Sequence, residues 1–127
     1  MDFMKNNSNT EQDEFSLAVA EWRRAQVVFC SPSWKGRPLA RHYCENLSSK
    51  PELKDKLAAL LSDKNQIVVA YVLLTLDLMQ SETSLTVPEE LFGRRDQITT
   101  MTGSFANKSE IGAFAKHLRK VTSNQVS

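Results

Sequence analysis

Little of what usually marks a protein's chemistry is present: 127 residues hold two cysteines, two histidines, four glycines and four prolines. Thirteen residues lie between Cys30 and Cys44, and there is no C-x-x-C or H-x-x-x-H spacing, so the ligand pattern of a zinc site is missing. Gly93, Gly103 and Gly112 form no phosphate loop or dinucleotide fingerprint, and no cofactor is expected. A net charge of +1 excludes bulk attraction to nucleic acid or anionic lipid. The longest apolar segment, 67–79, is shorter than the roughly 18 residues that a membrane span needs. The start, MDFMKNNSNTEQDE, is polar and lacks a secretory apolar region, which points to a reduced, cytoplasmic setting.

What is present is one strongly apolar stretch, DKNQIVVAYVLLTLDLMQ, over 63–80. It is too long for an ordinary strand, so the pattern predicts a buried central helix. Asp63, with Gln66 three residues on, predicts a capping box at its start. At about 100° per residue, Gln66, Ala70, Leu73, Asp77 and Gln80 share one stripe, which is expected to meet water or a partner. An unpaired carboxylate in an apolar core costs several kcal/mol, so Asp77 belongs on that stripe.

Around this rod the spacing predicts further helices. Phe15, Ala18, Val19, Trp22, Ala25 and Phe29 recur at three- and four-residue intervals, giving a first helix from about Glu11 to Cys30. SPSWKGRP, 31–38, breaks both helix and strand patterns. Pro38 opens a short helix with Leu39, Tyr43 and Leu47 on one face, Ala40 and Cys44 beside them. Ser49, Pro51 and Glu52 start another, with Leu53, Leu57, Leu60 and Leu61 inward. Val87-Pro88-Glu89 opens a fifth, with Leu91 and Phe92. Residues 94–105 carry conflicting signals; QITTMT has the β-branched content of a strand, but helix or irregular coil is expected because a lone strand would have no partner. Asn107 and Glu110 predict a capped last helix with Ile111, Phe114, Ala115, Leu118 and Val121 on one face.

The pair of helices over 50–80 resembles a HEAT-type repeat: a leucine-rich first helix, an Asp at the turn, then Val68, Val69, Ala70, Leu73 and Leu74. Val69 stands where many members carry Arg, and no second copy of the period occurs, so the resemblance implies a single HEAT-like hairpin within a small helical domain. The fold expected is all-α, a compact orthogonal or HEAT-like bundle of five to six helices. It forms one domain over 11–122, with flexible tails at 1–10 and 123–127.

Catalytic chemistry has thin support. His42 and Cys44 point to different sides of one helix, and a Cys–His pair would need His117 brought in from the far end. Both cysteines are expected as free, small apolar groups, though a disulfide between them stays open. Asp13/Glu14 and Glu89/Glu90 sit where helix starts favour acids.

The clearest bias is charge without counter-charge: Arg23, Arg24, Lys35, Arg37 and Arg41 fall within 22–44, a stretch with no acid but with Trp34, His42 and Tyr43. Trp and Arg together have the make-up of a contact hot spot; the alternative is that Trp34 folds back on the protein while the charges stay solvated. The leading expectation is a non-catalytic protein–protein interaction module, an adaptor or an inhibitor of the bacterial immunity type. Its expected partner-binding residues are Arg23, Arg24, Trp34, Lys35, Arg37, Arg41 and Asp77. The alternatives are a nucleic-acid-binding regulator using the basic side chains on phosphates and a small enzyme or ligand-binder with a pocket between helices.

Overall fold

The computed structural model describes residues 14–30, 39–79, 88–102 and 105–126, the last eight of these by backbone only. Helix α1 includes residues 14–24 and is followed by a short strand, β1 (Val28–Phe29), and helix α2 (Leu39–Leu47). Helix α3 (Lys54–Ala59) is flanked by single 3-10 turns, Pro51–Leu53 and Leu60–Ser62. Then come α4 (Gln66–Met79), the one-turn α5 (Glu89–Phe92), strands β2 (Gln97–Thr102) and β3 (Phe105–Glu110), and α6 (Ile111–Val126). No helix among the described residues is long and apolar enough to cross a membrane.

The all-α expectation is overturned. β1, β2 and β3 form a three-stranded mixed sheet in that order, with β1 parallel and β3 antiparallel to β2. The fold is therefore α+β, and QITTMT, expected as helix or coil, is the central strand. Val28 pairs with Thr100 and Phe29 with Met101, and the Cys30 amide extends the ladder by donating to Met101 O at 2.9 Å. Asn107 and Glu110, expected to cap the last helix, pair with Thr100 and Gln97 instead. The first helix stops short of Cys30: Val28 and Phe29, β-branched and aromatic, pair in the sheet instead.

The central helix is where the spacing places it, but drier than expected. Ile67 through Leu76 are all buried, including Ala70 and Leu73 of the stripe expected to be wet, while Asp77 at the far end is half-buried. α2, α3, α6, β1 and β2 pack around it, leaving no side open from Ile67 to Leu76. A helix that is apolar all round is stable only when enclosed in this way. Its cap is Asn65, not Asp63: Asn65 Oδ1 accepts from the amides of Ile67 at 2.8 Å and Val68 at 3.2 Å. Asp63 acts one step earlier, with Oδ1 accepting from the Asn65 amide at 2.8 Å.

Trp22 and Tyr71 form the middle of the core. Their rings stack with centroids 5.9 Å apart and planes 9° from parallel. Both polar tips are satisfied, as buried Trp and Tyr require: Trp22 Nε1 donates to Ala40 O at 3.0 Å. Tyr71 OH donates to Val27 O at 2.7 Å and accepts from the Phe29 amide at 3.1 Å, tying α4 to β1.

Two smaller expectations shift. Ser49 does not cap the third helix; its hydroxyl donates back to Asn46 O at 2.8 Å, and Pro51 starts the 3-10 turn without a side-chain cap. α2 turns Ala40, Arg41, Cys44 and Leu47 inward and leaves Leu39 49% exposed. The seam between α6 and the segment before β2 depends on Gly112. Its amide donates to Arg94 O at 3.1 Å, and a Cβ there would lie 2.4 Å from Phe92 O and 2.7 Å from Arg94 O. The expected N-terminal tail, 1–10, lies outside the described residues.

Candidate functional site

A cleft of about 510 Å³ opens where α2, the last turn of α4, the sheet and α6 converge. Each wall follows from local periodicity. On α4, Leu74, Asp77 and Leu78 fall at i, i+3 and i+4 and share one face. On β2, Thr100 and Thr102 alternate to one side of the sheet, and Ser109, opposite Ile98 on β3, joins them. On α6, Ala113, Phe114, His117 and Leu118 form the facing wall. Cys30 and Arg41 complete the lining.

Arg41 is the unusual member of this set. It is 6% exposed, and its Nε is the one fully buried side-chain nitrogen or oxygen among the described residues without a hydrogen bond. Glu45, one turn on, brings Oε2 to 3.6 Å of Nε: close enough for attraction, too far for a hydrogen bond. A buried charge without a partner costs several kcal/mol; Glu45 supplies the ionic partner here, and Nε alone is left without a hydrogen bond.

Cys30 contributes a thiol rather than a thiolate. Burial pushes its pKa up, against smaller opposing effects from the Arg41 charge and a Thr102 hydrogen bond. Cys44 lies deeper, donates to Tyr71 O at 3.5 Å, and is pushed up to about 12 by burial. Both cysteines are free. The cleft thus gathers Cys30 and His117 from distant parts of the chain, but the thiolate that a Cys nucleophile requires is disfavoured there.

Of the residues expected to bind a partner, Arg41 and Asp77 meet in this cleft. Arg23 lies elsewhere, in a two-pronged ion pair with Asp63, at 3.0 and 2.7 Å. Arg24 pairs with Glu21 on its own helix. Trp34, Lys35 and Arg37 lie outside the described residues. Of the charges read as uncompensated, the three described find acids outside the basic stretch: Arg24 pairs with Glu21, Arg41 with Glu45 and Arg23 with Asp63 across the fold. Thr100, Thr102 and Ser109 escaped sequence reasoning, since a threonine or serine in a strand carries no sign of which face it occupies. Among the described residues, no three His, Cys, Asp or Glu side chains gather where they could hold a metal ion.

No family model, curated protein or solved structure matches this chain. The fold and cleft define it by geometry: a small α+β domain with a half-polar cleft at its helix–sheet seam and a buried arginine in the cleft wall.

Proposed function

We propose that this protein is a binding module that receives the anionic group of a ligand in the cleft beside Arg41, with no catalysis of its own. The observation that carries the reading is the buried Arg41 guanidinium, whose Nε has no hydrogen-bond partner in the wall of a cleft. The cleft volume falls within the roughly 300–1,000 Å³ range of ligand pockets, and apolar walls with a few convergent polar groups are their usual make-up.

Thermal unfolding in the presence of a set of organic anions and their neutral analogues tests this reading. A ligand that binds only the folded state raises the midpoint in step with its concentration. The expected result is a rise with at least one anion that is lost in Ala113→Trp, whose bulk enters the cleft from an exposed position on α6. No rise with any anion would reject the reading.

An adaptor or inhibitor reading draws on the same pair, Arg41 and Asp77, if a protein partner presents its acidic group to this cleft. Capture of that partner would then be lost in the same Ala113→Trp variant, and capture that persists would remove this version. The nucleic-acid reading gains no support from Arg23 and Arg24, both engaged with carboxylates, or from Arg41, which is buried.

A further inference from the structure

We infer that β3 is the interface of a symmetric dimer, in which two copies of this chain pair edge to edge about a two-fold axis at Asn107, and each seats its Phe105 beside Ser109 of the other. The inference goes beyond the cleft reading above and rests on the strand edge, not on Arg41.

The backbone groups of β3 have a fixed direction. In the sheet order β1-β2-β3 the far side of β3 is an edge. The Ile111 amide donates to Asp96 O at 2.8 Å, one step beyond the β2–β3 ladder, while Met101 O on the other side of β2 accepts from the Cys30 amide. The amide and carbonyl of a strand residue share a side, and successive residues alternate. Asn107 and Ser109, in step with Ile111, therefore turn their backbone groups to β2, whereas Ala106 and Lys108 turn theirs outward. Among the described residues nothing bonds to the backbone of either on that side. An open row of this kind is a template for a further strand.

The side chains add a knob and a seat. Ladder partners stand on the same face of a sheet, so Phe105, opposite Thr102, and Ser109, opposite Ile98, lie on the face that carries the cleft. Ser109 lines the cleft with Ala113 and His117 of α6. Phe105 falls outside that lining and is 74% exposed, the most exposed of the large apolar side chains described. One strand thus bears an uncovered aromatic ring and, further along the same face, the rim of the cleft.

These features choose the occupant. Outward-facing residues must stand opposite each other for hydrogen bonds to cross a new seam, which restricts the two-fold axis to residue positions of β3. With the axis at Asn107, Ala106 meets Lys108 of the second copy and Lys108 meets its Ala106, each pair closed by reciprocal N–H to O bonds. Phe105 then stands opposite Ser109 of the second copy in a non-hydrogen-bonded pair, the closer kind, with Cα atoms about 4.5 Å apart. Its ring is covered there by Ala113 and His117 of that copy. Lys108, a residue type that guards open edges, stands on the outer face and lays its stem over Ala106 of the second copy.

Other registers fail. An axis at Lys108 sets like charges face to face and puts Phe105 opposite Ile111, where the chain has turned into α6. An axis at Ala106 puts Phe105 opposite Asn107, away from the cleft. The strand is therefore complementary to itself in one register, with knob and seat exchanged as an isologous interface requires. An unrelated extended peptide would use the same edge without using Phe105. The seam is short, so the dimer belongs to the weak, transient class.

Sedimentation equilibrium of the full chain from micromolar to millimolar concentration, beside residue-resolved amide hydrogen exchange, tests this. The expected result is a monomer–dimer equilibrium in which the Ala106 and Lys108 amides slow as dimer forms, while those of Asn107 and Ser109, already bonded to β2, change less. Phe105→Ser should leave the unfolding midpoint of the monomer unchanged, since the ring is in solvent, and weaken the dimer by about tenfold or more. Lys108→Pro removes an outward amide, which an edge strand tolerates, and should abolish association; Phe105→Ser carries the test if that variant fails to fold.

A monomer at every concentration, or a dimer that leaves the Ala106 and Lys108 amides exchanging freely, would overturn the inference. So would a dimer that Phe105→Ser does not weaken, because the ring would then have no seat beside Ser109. Assembly beyond the dimer would overturn the two-fold closure. None of these results bears on anion binding beside Arg41, which the thermal shifts read separately.

Discussion

Arg23 on α1 and Asp63 at the entrance to α4, forty residues apart, meet in a forked ion pair with N–O distances of 3.0 and 2.7 Å. Arg94 grips the same turn from the other side, donating to Asp63 O at 2.7 Å and Lys64 O at 3.0 Å. The start of the central helix is thus clamped between the first helix and the segment that leads into β2. The Arg23 guanidinium holds the Asp63 carboxyl below the usual carboxylate range, helped by the Asn65 amide and the Arg94 charge and opposed by partial burial.

Asp63→Asn should lower stability by about 1 kcal/mol, a modest cost because 48% of the Arg23 side chain is in solvent and screening weakens the pair. A folded-state pKa held below the unfolded value near 3.9 stabilises the fold above that value, and the benefit is lost as pH falls through the depressed folded pKa. Denaturant midpoints of wild type and Asp63→Asn should accordingly differ at neutral pH and converge below about pH 4. A difference that persists undiminished to lower pH would show that the carboxylate charge is not what matters.

Asn65→Ala should cost about 0.5–2 kcal/mol, the ordinary loss on removing a helix cap, because the Ile67 and Val68 amides lose Oδ1. Asn65→Asp should recover most of the stability, since a carboxylate accepts from the same two amides. Equal denaturant midpoints for Asn65→Ala and wild type would place the start of the helix elsewhere.

Tyr71→Phe keeps the stack on Trp22 and removes only the hydroxyl. The Val27 carbonyl and the Phe29 amide both lose their bond to it, for a cost of about 1–3 kcal/mol. Hydrogen exchange should speed up at the Phe29 amide more than at amides of α3. A uniform change across the protein would argue that Tyr71 does not specifically hold β1.

Gly112→Ala should be among the most destabilising of single methyl additions here. The new Cβ would meet backbone atoms of Phe92 and Arg94 at 2.4–2.8 Å, and backbone cannot swing aside as a side chain can. Overpacking of this sort costs about 1–3 kcal/mol; Gly93→Ala, whose Cβ would meet Glu90 O at an ordinary 3.7 Å, is the control. Similar unfolding midpoints for the two variants would mean that α6 does not sit against 92–94.

The helical half of the fold is legible from spacing, because α4 and its leucine-rich neighbour carry periodic apolar residues whose burial decides their conformation. The sheet is not, for reasons particular to each strand. β1 is two residues long and continues the apolar rhythm of α1; β3, FANKSE, is mostly exposed and shows no alternation. With both partners hidden, QITTMT reads as an orphan. Asn107 and Glu110 add a false cap, since residues that satisfy a helix start also tolerate a strand. Within the cleft, Arg41 and Asp77 are legible as charges of interest on their helices, but nothing local shows that Arg41 is buried or that the two share a cleft, which depends on how the sheet and α6 close around them.

The most direct test is the stability of Arg41→Met, measured by denaturant unfolding beside its response to the set of organic anions. A guanidinium kept for binding rather than for the fold can be exchanged for an apolar side chain of similar length without loss, since Glu45 is partly exposed and can turn to water. The expected result is an unfolding midpoint equal to or above that of wild type, with the anion-dependent rise gone. A loss of about 3 kcal/mol or more, or an anion response that survives unchanged, would contradict the assignment of Arg41 as the anion anchor.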